Sequence, residues 1–170
     1  IKLDTALLFD QASPLPQSRF SVLSPEDMFL HSATHLLFND ELRGGLRDLA
    51  DMRLLCLSHK KDSEFWAILP ERAKLLGLER PLYYALDSLN RIFDFEAPPQ
   101  PAVNTRAFSP HPLILKVMRK LIANTLAPKD VNCLNAPVSE YLLFIRSHWV
   151  RMPPVMLGRH LLQKWRTPSK

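Results

Sequence analysis

Fifteen prolines against four glycines leave this chain few ways to fold. Proline has a fixed φ and no amide hydrogen, so it fits the first turn of a helix or an irregular connection and interrupts a sheet ladder. Glycine supplies the positive-φ corners of tight hairpins and of loops that cradle phosphates, and four are too few for a turn-rich β fold. The prolines sit where helices can begin, as at Pro25, Pro81 and Pro154, or cluster between 96 and 112. Pro98, Pro99, Pro101, Pro110 and Pro112 are too many for regular structure in that stretch. Period-two alternation does not persist beyond a few residues, and no internal repeat is present. The expected fold is all-α, a bundle of six or seven helices with a Pro-rich loop at about 96–112.

Ser24-Pro25-Glu26-Asp27 carries the strongest start signal: a serine cap, proline at the first helical position and acids in the first turn. A helix is predicted from there to about Phe38, and a second after Gly44-Gly45 to about Leu57. Ser63 is read as the cap of a third, with Pro70 kinking it or starting another turn and Gly77 ending the segment. Pro81 opens a fourth helix through Phe93, and three more cover about 113–126, 138–149 and 154–165. Residues 1–21 read as an arm or linker and 22–170 as the helical domain. The chain opens at Ile1 with no Met, signal peptide or basic leader, and is expected to be an excised piece of a longer protein.

Chemistry concentrates in the first two predicted helices. His31 and His35, four apart, share a polar stripe beside the apolar face of the first. Two such histidines can hold one metal, but the glutamate of a His-Glu-x-x-His zinc motif is absent, so ring nitrogens bonded to backbone or to the next helix are the expectation. Asp48 and Asp51 share a face of the second helix, where paired carboxylates can hold a cation or a basic partner, or simply form local ion pairs with Arg47 and its neighbours. A short antiparallel turn could bring His35 to Asp48 as a ligand-facing surface or a structural clasp. Arg53 falls on the apolar side of that helix and needs an acid or carbonyls, with Asp27 or Glu26 the candidate partners. Arg53-x5-His59 matches the spacing of an arginine–histidine ribonuclease signature, a spacing that thirteen arginines and six histidines produce easily by chance.

Charge is uneven. The stretch 111–170 carries ten Lys or Arg against two acids, Asp130 and Glu140, whereas positions 1–110 carry twelve against fifteen. Arg146, His148 and Arg151 surround Trp149 and Pro153-Pro154, and Arg159 and Lys164 lie on the polar side of the last predicted helix. These five are candidate phosphate or partner contacts. The basic residues are dispersed among apolar ones, which argues against a nucleic-acid face. Cys56 and Cys133 form no metal or disulfide spacing, so a reduced cytoplasmic setting is expected, and no apolar run is long enough to cross a membrane. No nucleophile elbow occurs, and no residue is assigned a catalytic or metal-binding role.

Val22-Leu23-Ser24-Pro25-Glu26-Asp27 leading into His31 and His35, followed by Leu46-Arg47-Asp48-Leu49-Ala50-Asp51, resembles the uncharacterised nucleotidyltransferase-like family of the polymerase-β-type superfamily. Gly77-Leu78-x-Arg80-Pro81-Leu82 and Arg146-Ser147-His148-Trp149 look similar too, so the likeness covers about 20–165. The resemblance implies an N-terminal α/β catalytic part with a Gly-Ser turn and metal-binding acids on strands, using Mg or Mn to move a nucleoside monophosphate from a triphosphate to an acceptor. This chain has no Gly-Ser dipeptide and no acidic pair on a predicted strand, and Asp4 resembles the third acid only superficially. By this resemblance the chain is the helical C-terminal portion, inactive alone, whose partner is the missing catalytic part of the same protein. The alternative is a non-catalytic helical module for a protein partner or nucleic acid.

Overall fold

The structure, a computed structural model, describes residues 5–38, 45–99, 105–126 and 136–151. It is all-α apart from one small hairpin: α1 (Thr5–Phe9), β1 (Ser13–Pro14), β2 (Ser21–Val22), α2 (Pro25–Phe38), α3 (Leu46–Ser58), α4 (Ser63–Leu76), α5 (Glu79–Phe93), α6 (Pro112–Leu126) and α7 (Ala136–Arg151). The predicted helix at 154–165 lies outside the described residues.

Helix α2 begins as its sequence demands. Ser24 Oγ accepts from the Asp27 amide at 3.2 Å. That bond satisfies a donor that the first turn leaves orphaned, and Pro25 occupies a position that needs no amide hydrogen. Phe29, Leu30, Ala33, Leu36 and Leu37 fall on one side and are buried. That side makes α2 the centre of the bundle, packed against α3, α4 and α5, with α7 touching it as well. Leu49, Met52 and Cys56 of α3 and Leu82, Ala85 and Leu89 of α5 complete the same core. Each fully buried large side chain there contributes about 1.5–3 kcal/mol of transfer free energy.

Two connections differ from expectation, each for a local reason. The cap of α4 is Asp62 rather than Ser63: its Oδ1 accepts from the Glu64 and Phe65 amides, both at 3.1 Å. Pro70 neither ends nor restarts this helix. Its ring is fully buried, and the packing of Phe65, Trp66, Leu69 and Ala73 around it outweighs the lost backbone hydrogen bond. Gly77 then closes the helix at φ 66°. Open space surrounds the missing Cβ, so the left-handed backbone and not crowding favours glycine there. Helix α5 starts two residues before Pro81, which sits in the first turn and costs no intrahelical bond.

In the connection from α5 to α6, residues 94–98 run without regular structure, but 99 and 105–106 are helical, so the stretch 96–112 is not irregular throughout as its prolines suggested: proline is tolerated in the first turn of a helix. Phe95 and Phe108 are nonetheless buried beneath this connection, and Arg80 Nη1 donates to the Phe108 carbonyl at 2.8 Å. Helices α6 and α7 pack on one another as a pair. The N-terminal segment is docked rather than trailing: Leu8 is buried and the Leu7 carbonyl accepts from Arg72.

The Asp62 cap has a pH consequence. The Phe65 amide, then the His59 ring at 3.1 Å and the Glu64 amide hold its carboxyl below the ordinary carboxylate range. A depressed acid stabilises the fold above its unfolded pKa, and that contribution is lost as pH falls through the folded value. Asparagine caps equally well without titrating. The melting temperature of Asp62→Asn should therefore lie below wild type at neutral pH and converge on it upon acidification, as read by thermal melts across the acid range.

Candidate functional site

His31 and His35 both project from the exposed side of α2, one turn apart, with ring centroids 6.4 Å apart and planes inclined by 21°. Neither ring makes a hydrogen bond among the described residues. On α3, Asp48 is half-buried and Asp51 exposed, and neither enters an ion pair there. The two helices are neighbours, as a short connection requires, but no hydrogen bond joins His35 to Asp48 among the described residues. Both side chains reach solvent. Ala substitution at either should change stability by no more than about 0.5 kcal/mol in a chemical denaturation series, the usual range for surface positions.

Arg53 does not find Asp27 or Glu26. Its guanidinium lies over the Phe93 ring, 5.7 Å from the centroid, with Nε buried and without a hydrogen-bond partner among the described residues. Asp27 is taken by a residue on another helix. Arg72 of α4 donates Nε to Asp27 Oδ1 at 2.8 Å and Nη2 to Oδ2 at 2.9 Å, and Nη2 also donates to the Leu7 carbonyl. The Arg72 and Asp27 side chains are 5% and 0% exposed. The Asp27 hydrogen bonds raise the Arg72 pKa above its ordinary value, so the guanidinium stays charged throughout the accessible pH range. A fork of this kind is the strongest geometry available to an arginine and a carboxylate.

The reason it escapes a reading of sequence is specific. Arg72 sits within Phe65, Trp66, Leu69, Ala73 and Leu76 at helical spacing, so it carries the same signal of a guanidinium on an apolar face as Arg53 does. Treating Pro70 as a break hides that register.

Two further arginines tie the outer helices to the core. Arg146 of α7 lies between the Phe38 and Tyr84 rings, 5.5 and 5.4 Å from their centroids. This double cation–π contact joins α2, α5 and α7. Burial pushes the Arg146 pKa below the ordinary arginine value and pushes the Tyr84 hydroxyl upward. Arg146 Nη1 is itself buried and finds no hydrogen-bond partner among the described residues. Arg119 of α6 grips Asp87 of α5 through Nε at 2.9 Å and through Nη2, and Arg91 approaches the same carboxylate at 3.7 Å. The side chains of His148 and Arg151, and all of Arg159 and Lys164, lie outside the described residues. Burial also raises the Cys56 thiol to about 12, which leaves it an inert packing group rather than a nucleophile.

Residues 2–94, more than half of the chain, match the family model described as uncharacterised nucleotidyltransferase. The chain belongs to this family. No curated protein and no solved structure matches it. Within the uncharacterised nucleotidyltransferase match lie α1 to α5, the stacked histidines, the α3 carboxylates and the buried Asp27–Arg72 fork. Family membership raises the question of a metal. Among the described residues, no group of three or more His, Cys, Asp or Glu side chains could hold one. Among the described residues, no helix is long and apolar enough to cross a membrane.

Proposed function

We propose that this chain serves nucleotidyl transfer as a helical, non-catalytic part. Carboxylates from outside the described helices would hold the Mg or Mn, and the helices would form one wall of the cleft for the triphosphate or the acceptor. The observation that carries this reading is the family match over residues 2–94. The described residues fit the supporting role well. Asp27–Arg72 and Arg146 lock α2 against α4, α5 and α7, giving a rigid surface on which His31, His35, Asp48 and Asp51 remain available to a ligand or to a catalytic part of the same protein. Rigid placement is what transfer chemistry needs from a non-reacting wall, because much of the barrier reduction comes from positioning. The sparse, unpatterned cysteines support a reduced, cytoplasmic setting.

The test is an assay with labelled nucleoside triphosphates and magnesium or manganese. The chain alone should give no transfer above background. Robust transfer abolished by Asp48→Ala or Asp51→Ala would overturn the assignment of the chemistry to other residues.

A second reading has one observation in its favour. Val138, Tyr141, Leu142 and Trp149 form an exposed apolar stripe along α7 at helical spacing, as a helix prepared for a protein partner does. Lys116 and Lys120 on α6 are exposed as well, and a nucleic-acid role for this half would show binding that weakens steeply with salt. Gel shifts with RNA and DNA at two ionic strengths separate the versions, since a protein-partner module shows no such binding.

A further inference from the structure

An open cleft of about 410 Å³ lies along α5, apart from the histidine and carboxylate faces of α2 and α3. Its floor is one helical stripe, Tyr83, Leu86, Asp87 and Asn90, which the other helices leave partly uncovered. Its far wall is the chain that turns back after α5. Asp94, at φ 50°, makes the corner, and Asn90 Nδ2 donates to the Phe95 carbonyl at 3.3 Å, holding that wall at the helix. The Arg80 bond to the Phe108 carbonyl anchors the other end of the same connection. The connection that walls the cleft is therefore held by side-chain ties on both sides of it, and the cleft's volume is within the range that binds small molecules.

The charges in it are informative because one is cancelled and two are not. Asp87 is gripped by Arg119 and offers no free charge. Glu96 and Arg106 both line the cleft, are exposed and of opposite sign, and enter no ion pair among the described residues, with each other included. The Tyr83 ring, Leu86 and Ala97 line the same cleft and supply apolar surface. An anion would be repelled by Glu96, a cation by Arg106, and a neutral apolar body would leave both unused. We propose that this cleft binds a small zwitterion with an apolar body, an α-amino acid being the simplest: its carboxylate meets Arg106, its ammonium meets Glu96, and its side chain lies against Tyr83 and Leu86. A guanidinium fork and a carboxylate are the natural partners of those two groups. The site is independent of the transfer chemistry proposed above.

The experiment is a titration of the isotope-labelled chain with L-phenylalanine, followed by amide shifts. Saturable shifts should centre on residues 83–97 and 105–106. Arg106→Gln and Glu96→Gln, both exposed and so no threat to folding, should each weaken binding about tenfold or more, the loss expected when one charged hydrogen-bond partner is removed. Lys60→Gln, exposed and not a lining residue of the cleft, should leave it unchanged. Phenethylamine and phenylpropionate, each with one charge, should bind at least about tenfold more weakly than the zwitterion. Absence of saturable shifts in the cleft, equal binding of N-acetyl-phenylalanine amide, or indifference to both substitutions would overturn the proposal. A negative transfer assay would not touch it.

Discussion

Replacing Asp27 with alanine lowers the unfolding free energy by about 3–5 kcal/mol, because it leaves the Arg72 guanidinium buried without its hydrogen-bonded counter-charge. For a chain of this size that corresponds to a fall in melting temperature of about 6–20 °C, measurable by circular dichroism melts. The reciprocal change, Arg72→Met, strands the carboxylate and removes the donor from the Leu7 carbonyl at once. Its loss of stability should be similar, and the segment before α2 should be cut faster by protease than in wild type. The double variant Asp27→Leu with Arg72→Met separates a costly broken pair from a useful intact one. Removing both charges together should recover most of the loss, since an apolar pair of similar volume avoids desolvating two ions. A single-variant loss below about 1 kcal/mol would mean that water reaches the fork and that it does not tie α2 to α4 as the structure shows.

Phe65→Ala should cost a comparable amount, about 3–5 kcal/mol, for a different reason. Phe65 is buried where α3 hands over to α4. Its ring stacks on His59 at 4.8 Å and meets Trp66 edge-on at 5.0 Å, and Trp66 in turn stacks on Phe95 at 6.2 Å. Truncation opens a cavity at the start of a chain of rings that runs from the α3–α4 corner to the segment after α5. The Trp66 indole, which donates to the His59 carbonyl at 2.9 Å, loses its edge contact as well. Phe65→Leu, which keeps most of the volume, should cost less than about 1.5 kcal/mol in the same denaturant titration. Tryptophan fluorescence should report the difference, because Trp66 is buried and in contact with the altered site.

Much of the fold is legible without coordinates, for local reasons. Ser24 followed by proline and two acids can hardly do anything but start a helix. The core residues of α2 follow from their spacing alone, and residues 94–98 lack regular structure where the prolines begin. Helix boundaries were legible where a cap residue acts on its own backbone. They were missed where two adjacent residues compete for one role, as Asp62 and Ser63 do. The aspartate prevails because its two oxygens can serve the amides of the first turn and the His59 ring together.

Pairings between distant residues are what only the tertiary structure decided. Sequence shows that an arginine on an apolar face must find an acid or backbone carbonyls, and both Arg53 and Arg72 meet that description. It cannot say which takes which, because the choice depends on how α4 crosses α2 and on Pro70 remaining inside a continuous helix. The structure gives Asp27 to Arg72 across 45 residues and leaves Arg53 over Phe93. The cleft along α5 has the same origin. Tyr83, Leu86, Asp87 and Asn90 share a face by spacing, but only the turn at Asp94 and the return of the chain bring Glu96 and Arg106 to that face. Spacing along one helix is set by backbone hydrogen bonds that repeat every few residues, so it can be read from the sequence. Contacts across helices are set by how several apolar faces are buried at once, a property of the whole chain that no local pattern contains.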